Sequence, residues 1–167
     1  IHLYQKFGFW PGFLTALTAK GVEPASSSAA PYLRYSDLSA DARESALDEC
    51  RAVTETVYPG LDLEREIRVL AAQKLGDTVL LTGAGGLDGF AVCHAGKGSE
   101  AGPGVCYVKF AAVRSDPGAE RRFARLLDAC EHLAAANGMS RLVAGVITRS
   151  GRWAASSMNN SLMRCPP

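Results

Sequence analysis

The part of the sequence best suited to bind a charged ligand is a junction between a strand and a helix. The run Val105–Val113 (VCYVKFAAV) predicts a strand, and Ala119–Ala136 predicts a helix with one apolar face. Asp116, Pro117 and Gly118 break the chain between them. The first N–H groups of a helix lack partners within it and lie at the positive end of the helix dipole. The junction therefore predicts an anion-binding site.

Three arginines near the start of this helix bear on the nature of the anion. Arg121, Arg122 and Arg125 fall in its first two turns, where positive side chains oppose the helix dipole. A bound phosphate or pyrophosphate would compensate for that repulsion, because Arg binds phosphate oxygens through a bidentate fork. The alternative is a solvated surface on which Glu120 and Asp128 balance the charge. The residues alone leave both alternatives open.

A glycine-rich stretch, Gly83–Gly89 (GAGGLDG), is interpreted as a hairpin turn. A dinucleotide fingerprint needs G-x-G-x-x-G at the start of a helix. Here the spacing differs, and the next segment, Phe90–His94, predicts a strand.

The composition excludes several classes of function. The chain has 167 residues, of which 47% are hydrophobic and 21% charged, and its formal net charge is +1. This is a globular composition without a global field that would attract nucleic acid or an anionic membrane. No apolar run reaches the ~18 residues of a membrane span, and no spacing among the His and Cys residues is typical of a zinc site. We therefore expect no metal, no nucleic acid and no membrane partner.

Four of the five cysteines fall within apolar patterns and predict small, buried, reduced core residues. Reduced thiols favour a reducing compartment, and we expect a cytoplasmic location. These four are Cys50, Cys93, Cys106 and Cys130.

The order of predicted elements indicates an α/β chain of the α+β type. Three consecutive strands predict an antiparallel meander, and the last strand–helix–strand unit predicts a right-handed parallel crossover. The result is a mixed, mostly antiparallel sheet with helices on both faces. The predicted elements are strand Tyr32–Tyr35, helices Asp41–Val57 (opened by an Asp41–Glu44 capping box) and Leu63–Lys74, strands Thr78–Thr82, Phe90–His94 and Val105–Val113, helix Ala119–Ala136 and strand Arg141–Ile147.

The stretch from Phe110 to Val146 resembles the core of the GNAT (N-acetyltransferase) family, whose cofactor loop and following helix have an aliphatic-Gly-x-x-Leu-Leu pattern. Phe123-Ala124-Arg125-Leu126-Leu127 aligns with that pattern, with Ala124 at the glycine position and one residue instead of two before the leucine pair. Arg122 also replaces a loop glycine of the family. The resemblance implies that the main chain of Ala111, Ala112 and Val113 contacts the pantetheine of acetyl-CoA. It further implies a phosphate cradle made of Ala119, Glu120, Arg121, Arg122, Phe123 and Ala124.

A second resemblance lies at the start of the sequence and divides the chain into units. Leu3–Phe9 (LYQKFGF) is similar to the family motif aliphatic-Tyr-x-x-x-Gly-Phe, in which the Tyr protonates the leaving thiolate. The resemblance implies that Tyr4 is a catalytic residue of a preceding unit. We expect residues 1–20 to be the tail of that unit, with a strand at Phe13–Thr18. Residues 21–30 (GVEPASSSAA) have linker composition.

The remaining residues, 31–167, are expected to form a truncated GNAT-like domain, and the chain to be a fragment of a tandem protein. After Ile147 the sequence has neither the family's Tyr nor its Gly-Phe. The closing strands are therefore expected to be missing, and the sheet to be incomplete at its C-terminal end. The edge of Arg141–Ile147 would then be open to another chain.

The resemblance implies transfer of an acetyl group from acetyl-CoA to a primary amine of a small molecule or peptide. A general base would deprotonate the amine, and the candidates are Asp88, Glu100 and His94. The alternative is a catalytically degenerate unit that pairs with another GNAT unit or forms a homodimer. A third possibility is a nucleotide binder that uses the same helix N-terminus.

Overall fold

The computed structural model describes residues 6–7, 14–23 and 32–148, which form six strands and three α-helices. A short 3-10 turn, Tyr35–Asp37, follows the second strand. In chain order the elements are β1 (Leu14–Gly21), β2 (Leu33–Arg34), α1 (Ala40–Val57), α2 (Glu64–Gln73), β3 (Gly76–Gly83), β4 (Gly86–Ala95), β5 (Val105–Val113), α3 (Ala119–Ala136) and β6 (Arg141–Thr148).

The strands form one sheet in the order β1-β6-β5-β4-β3-β2. Every neighbouring pair is antiparallel except β5 and β6, which are parallel and joined by the crossover helix α3. This arrangement confirms the predicted mixed, mostly antiparallel sheet. The glycine-rich stretch forms the β3–β4 hairpin, in which Gly83 pairs with Gly86, as predicted.

Helices cover both faces of the sheet, because the central strands carry apolar side chains on both faces. Val79 and Leu81 of β3 pack in the cluster under α3, whereas Leu80 between them packs in the cluster under α1 and α2. Since strand side chains alternate between faces, a continuous apolar run is what a strand buried on both sides requires. The cysteines of the four apolar patterns are buried and free, which confirms their predicted core positions.

The structure corrects the predicted start of α1 and the lengths of two strands. Ser39 is the N-cap residue, because its hydroxyl accepts a hydrogen bond from the N–H of Ala42 and its backbone is extended. The predicted Asp41–Glu44 capping box therefore lies inside the helix. β3 and β4 are longer than predicted because their ladder continues through glycines that strand propensity disfavours.

The prediction of an open edge at Arg141–Ile147 is wrong. β1 pairs with β6 in antiparallel register from Leu14 opposite Thr148 to Gly21 opposite Arg141. The N–H of Val22 then donates to the carbonyl of Ser140, so ordered structure continues beyond Thr18, where the predicted strand ends. Residues 24–31 and 149–167 lie outside the described residues, and the division of the chain into units stays a prediction.

Within the described ranges, no helix is long and apolar enough to cross a membrane.

Gly89 brings β4 into close contact with the C-terminal half of β5. It pairs with Val113, and a Cβ atom at this position would lie 2.6 Å from Cγ1 of Val113 and 2.7 Å from the carbonyl oxygen of Ala112. Gly85, in the neighbouring turn, has no atom within 4 Å of the equivalent position. The two glycines therefore form a matched pair for testing how tightly this part of the sheet is packed.

We expect Gly89→Ala to lower the free energy of unfolding by about 1–3 kcal/mol, because an added methyl group must displace β5. Gly85→Ala should change it by less than about 0.5 kcal/mol, as is usual for a surface substitution. Urea denaturation followed by circular dichroism measures both. Equal effects of the two substitutions would show that β4 and β5 are not packed as described.

Candidate functional site

The parallel strands β5 and β6 separate partway along their length. Val105–Val108 pairs with Arg141–Ala144, but no pairing joins the later residues of the two strands within the described part of the chain. β5 nevertheless continues to Val113 and β6 to Thr148. We call the gap between Lys109–Val113 and residues 145–148 the cleft. Main-chain N–H and C=O groups that face it lack ladder partners and are available to a ligand.

A β-bulge in β5 lies where the cleft begins. Cys93 pairs with Val108 and Val92 pairs with Phe110, so Lys109 is an extra residue with no partner in β4. A bulge interrupts the alternation of side chains and leaves main-chain groups unpaired. Lys109 and Phe110 consequently line the same face of the sheet, which simple strand alternation does not predict.

The residues expected to contact pantetheine lie along this cleft. Ala111 and Val113 have side chains against the α3 cluster, whereas Ala112 faces the α1–α2 cluster. Their side chains are therefore committed to the two cores. Their main-chain atoms therefore face the cleft between β5 and β6, and the contact of these atoms with pantetheine stays a prediction.

The N-terminus of α3 follows the end of β5 after a short connection, residues 114–118. Gly118 is the N-cap residue, and no side chain caps the helix. The N–H of Ala119 donates to the carbonyl of Asp116, and the N–H of Arg122 donates to that of Gly118. The intervening N–H groups of Glu120 and Arg121 have no hydrogen-bond acceptor among the described residues. Two unpaired donors thus remain at the positive end of the helix.

The side chain of Arg122 folds back over this helix start. Its guanidinium forms an ion pair with Asp116, and a Cβ atom on Gly118 would lie 2.6 Å from its Nη1. This ion pair is the main reason that the pKa of the Asp116 carboxyl lies below its ordinary value, and the N–H of Gly118 adds to the effect. Arg122 has an ordinary right-handed backbone, so replacing a loop glycine causes no strain. Its Nε is buried and has no partner among the described residues.

The other predicted cradle residues surround the same helix start. Arg121 is exposed, and its side chain has no ion pair among the described residues. Glu120 and Ala124 are exposed as well, whereas Ala119 and Phe123 are partly buried. The predicted set therefore lies together on the first turns of α3 and borders the end of the cleft.

A polar cluster lies on the opposite face of the sheet, between α2 and the bulge. Oε1 of Glu66 is 3.0 Å from Nε2 of His94 and 2.9 Å from Nζ of Lys109. The Lys109 ammonium also donates to Oε1 of Glu100 at 2.6 Å. Lys109 is the largest cause of the lowered pKa of Glu66, and His94 contributes as well. The two carboxylates in turn raise the pKa of Lys109.

The geometry of this cluster could hold a cation. One ligand atom each from Glu66, His94 and Glu100 lies within 4.8 Å of the others. The Lys109 ammonium already donates to both carboxylates, so it competes with a cation for these oxygen atoms and offsets one of their two negative charges.

An open groove of about 640 Å³ adjoins the cluster. It runs between α2 and the bulge of β5, on the face opposite α3. Its lining residues are Asp62, Leu63, Arg65, Glu66, Val69, Val92, Lys109 and Phe110.

Two of the three predicted base candidates, His94 and Glu100, come together in the polar cluster, whereas Asp88 lies apart from them. His94 is buried, with 5% of its surface exposed, and lies behind Glu66. Glu100 belongs to the polar cluster through Lys109. Asp88 is an unpaired bulge residue of β4 and does not line the groove. Tyr4 lies outside the described residues. Glu66 is a site residue that was not predicted from the sequence, where the available signal was a carboxylate next to the inward-facing Ile67 of α2.

Comparison with known proteins identifies the fold. No family model matches the chain, and no curated protein matches it. A solved structure, the crystal structure of a GCN5-related N-acetyltransferase from Sphaerobacter thermophilus, is similar with a TM-score of 0.59 and 15% sequence identity. The match covers 92% of this chain and 48% of that one, so the chain spans about half the length of its structural relative. The chain therefore has the same fold as this GCN5-related N-acetyltransferase, which confirms the resemblance at the level of the fold.

The ion pair at the start of α3 gives a direct test of the geometry. We expect Arg122→Ala to raise the pKa of Asp116 toward its ordinary value of 3.8, because the guanidinium that stabilises the carboxylate is lost. Arg121→Ala removes the same charge from the next residue and should leave that pKa unchanged, since Arg121 does not contact Asp116. Carboxyl NMR titration measures both. An equal shift in the two variants would contradict the folded-back position of Arg122.

Proposed function

We propose that this chain is an acyl-CoA-dependent N-acyltransferase unit that transfers an acetyl group from acetyl-CoA to a primary amine of a small molecule or peptide. The observation that carries the proposal is the separation of β5 from β6 directly beside the uncapped N-terminus of α3. The cleft offers main-chain donors and acceptors to an extended amide-containing ligand. The helix start offers unpaired N–H groups to an anion.

The pantetheine arm would bind along the edge of β5. Ala111, Ala112 and Val113 present main-chain groups to the cleft without ladder partners from β6. An extended ligand with two amide groups can pair with such an edge as an added strand does. Small alanine side chains on both faces leave this edge accessible.

The pyrophosphate would bind in the cradle Ala119–Ala124. The unpaired N–H groups of Glu120 and Arg121 favour a negative group at the helix start. Arg122 would exchange its Asp116 partner for a phosphate oxygen, and Arg121 would approach from solvent. Arginine compensates in this way for the glycine that is absent at position 122, because its fork binds two phosphate oxygens at once.

In the reaction, the amine nitrogen attacks the thioester carbonyl carbon. The carbon–sulfur bond then breaks, coenzyme A leaves as a thiolate that takes up a proton, and the amine loses a proton to a base, directly or through water. The main-chain N–H groups of Lys109 and Phe110, at the bulge where the cleft begins, are proposed to polarise the thioester carbonyl. Tyr4 is proposed as a thiolate acid of a preceding unit.

His94 is proposed as a positioning residue rather than as the base. Its ring is buried and forms a hydrogen bond with Glu66. An amine substrate in the groove would therefore contact Glu66 rather than His94. The buried free thiols support a reducing, cytoplasmic setting for the enzyme.

We expect acetyl-CoA to bind with a dissociation constant in the micromolar range, between ~1 μM and ~1 mM, as is usual for enzyme substrates. The double substitution Arg121→Ala/Arg122→Ala should weaken binding by at least about tenfold, because charge-assisted hydrogen bonds to phosphate are lost. Isothermal titration calorimetry measures the binding. Arg141→Ala, which removes an exposed arginine at the opposite end of β5 and β6, serves as the matched control.

A parallel titration with ADP separates this function from simple nucleotide binding. ADP carries the pyrophosphate but lacks pantetheine, so it should compete with acetyl-CoA and bind more weakly. Failure of acetyl-CoA to bind at millimolar concentration would refute the proposal. Equal affinity for ADP and acetyl-CoA would assign the helix start to a nucleotide site instead.

A further inference from the structure

The groove between α2 and the bulge begins where the cleft begins. Lys109 and Phe110 belong to both, because they line the groove and are the first residues of β5 beyond its pairing with β6. A molecule in the groove would therefore lie next to the carbonyl group of a thioester placed at the bulge. The groove is open to solvent on the face opposite α3, so its occupant can enter independently of a ligand in the cradle.

Glu66 has one carboxylate oxygen committed and one available. Both His94 and Lys109 bond to Oε1, whereas Oε2 has no hydrogen-bond donor among the described residues. The side chain is 35% exposed and lines the groove. Two groups on different strands thus fix the carboxylate while leaving it an unused acceptor atom. That arrangement suits a ligand that brings its own donor.

The charges near Glu66 favour a positive rather than a negative ligand group. The Lys109 ammonium is shared between two carboxylates, Glu66 and Glu100, so these three groups together carry a net negative charge. Arg65 and Asp62 are exposed residues of the groove lining with opposite charges, so together they do not change this balance. A ligand carboxylate would be repelled, because Oε2 of Glu66, the acceptor without a donor among the described residues, is itself a carboxylate oxygen.

The rest of the lining favours an apolar body. Leu63, Val69 and Phe110 contribute apolar surface to the groove, whereas Val92 lies behind them with no exposed surface. Val69 is 42% exposed, although it lies on the same helix as the buried Ile67 and Leu70. Apolar contact with a ligand would remove that surface from water, which is favourable in proportion to the area covered.

We propose that this groove is the acceptor subsite, and that it selects a primary aliphatic amine carried on an uncharged apolar body. Oε2 of Glu66 accepts a hydrogen bond from the ammonium group, and the apolar lining covers the body. Lys109 and His94 act as positioning residues that hold the carboxylate. This assignment rests on the proposed acyltransferase function, because only that function requires an amine at the bulge.

Glu66 is assigned to binding rather than to proton removal for a physical reason. Its pKa lies below the ordinary range because of Lys109 and His94, and an efficient general base has a pKa near the working pH. A carboxylate that stays ionised is instead suited to hold an ammonium group.

The test uses three probes of similar shape and different charge, namely 2-phenylethylamine, 2-phenylethanol and 3-phenylpropionate. Each is titrated into ¹⁵N-labelled protein without an acyl donor and with EDTA present, which excludes binding through a metal. We expect the amine to shift the amide signals of Val69 and Phe110 and to bind at least about tenfold more tightly than either other probe, because it alone makes a charge-assisted bond to Glu66.

Two glutamate variants show whether Glu66 is responsible. Glu66→Gln should weaken binding of the amine by at least about tenfold and leave binding of the alcohol unchanged. Glu64→Gln, which removes the same charge from the same helix outside the groove lining, should preserve the preference for the amine. L-Phenylalanine, which adds a carboxylate to the amine probe, should bind more weakly than the amine itself.

Several results would overturn the assignment. These are tighter binding of the propionate or of phenylalanine, equal effects of the two glutamate variants, or no shift of the groove signals with the amine. An acetyl-CoA titration of the same wild-type sample tests the donor site separately. If the amine binds and acetyl-CoA does not, the acyltransferase function is rejected. If acetyl-CoA binds and the amine does not, the groove is rejected as the acceptor subsite.

Discussion

The burial of the central strands between two helical layers is the constraint on which the rest of the structure depends. β3 contributes Val79 and Leu81 to one core and Leu80 to the other. A shift of one residue in the pairing would move each set of side chains to the opposite face of the sheet. The side chains in both cores would then no longer pack against the helices. Because this register is fixed, the polar side chain of His94 must lie on the α2 face, where Glu66 is its partner. The position of the charged groups beside the groove thus follows from the packing of apolar residues in β3 and β4.

The elements that the sequence predicts well are those with strong local signals. Val105–Val113 and Ala119–Ala136 have their predicted bounds, because each has a clear apolar period and the residues between them break regular structure. The anion site predicted at the junction also rests on local properties, namely free N–H groups and the helix dipole, and it stays a prediction. The first and last residues of β3 and β4 were predicted less well. Glycines at these ends have no side-chain pattern, and they are ordered by pairing across the hairpin.

The features that the sequence did not reveal depend on contacts between distant residues. The bulge at Lys109 is defined only relative to the register of β4, so no property of β5 by itself locates it. Glu66 appears as an ordinary surface residue of an amphipathic helix until the fold brings Lys109 within hydrogen-bonding distance. The pairing of β1 with β6 likewise has no local signal, and its absence from the prediction led to the expectation of an open sheet edge.

The pairing of β1 with β6 has a consequence for the order in which the chain can acquire its structure. The hydroxyl of Thr18 donates to the carbonyl of Ala144, 126 residues away in sequence. During synthesis β1 is made before β6, and this partner strand is not available until α3 has been made and has crossed the sheet. Contacts between such distant residues form slowly because a long loop must close. Until then β1 lacks the pairing with β6 that it has in the folded chain, and strands with unpaired edges are prone to aggregate during folding.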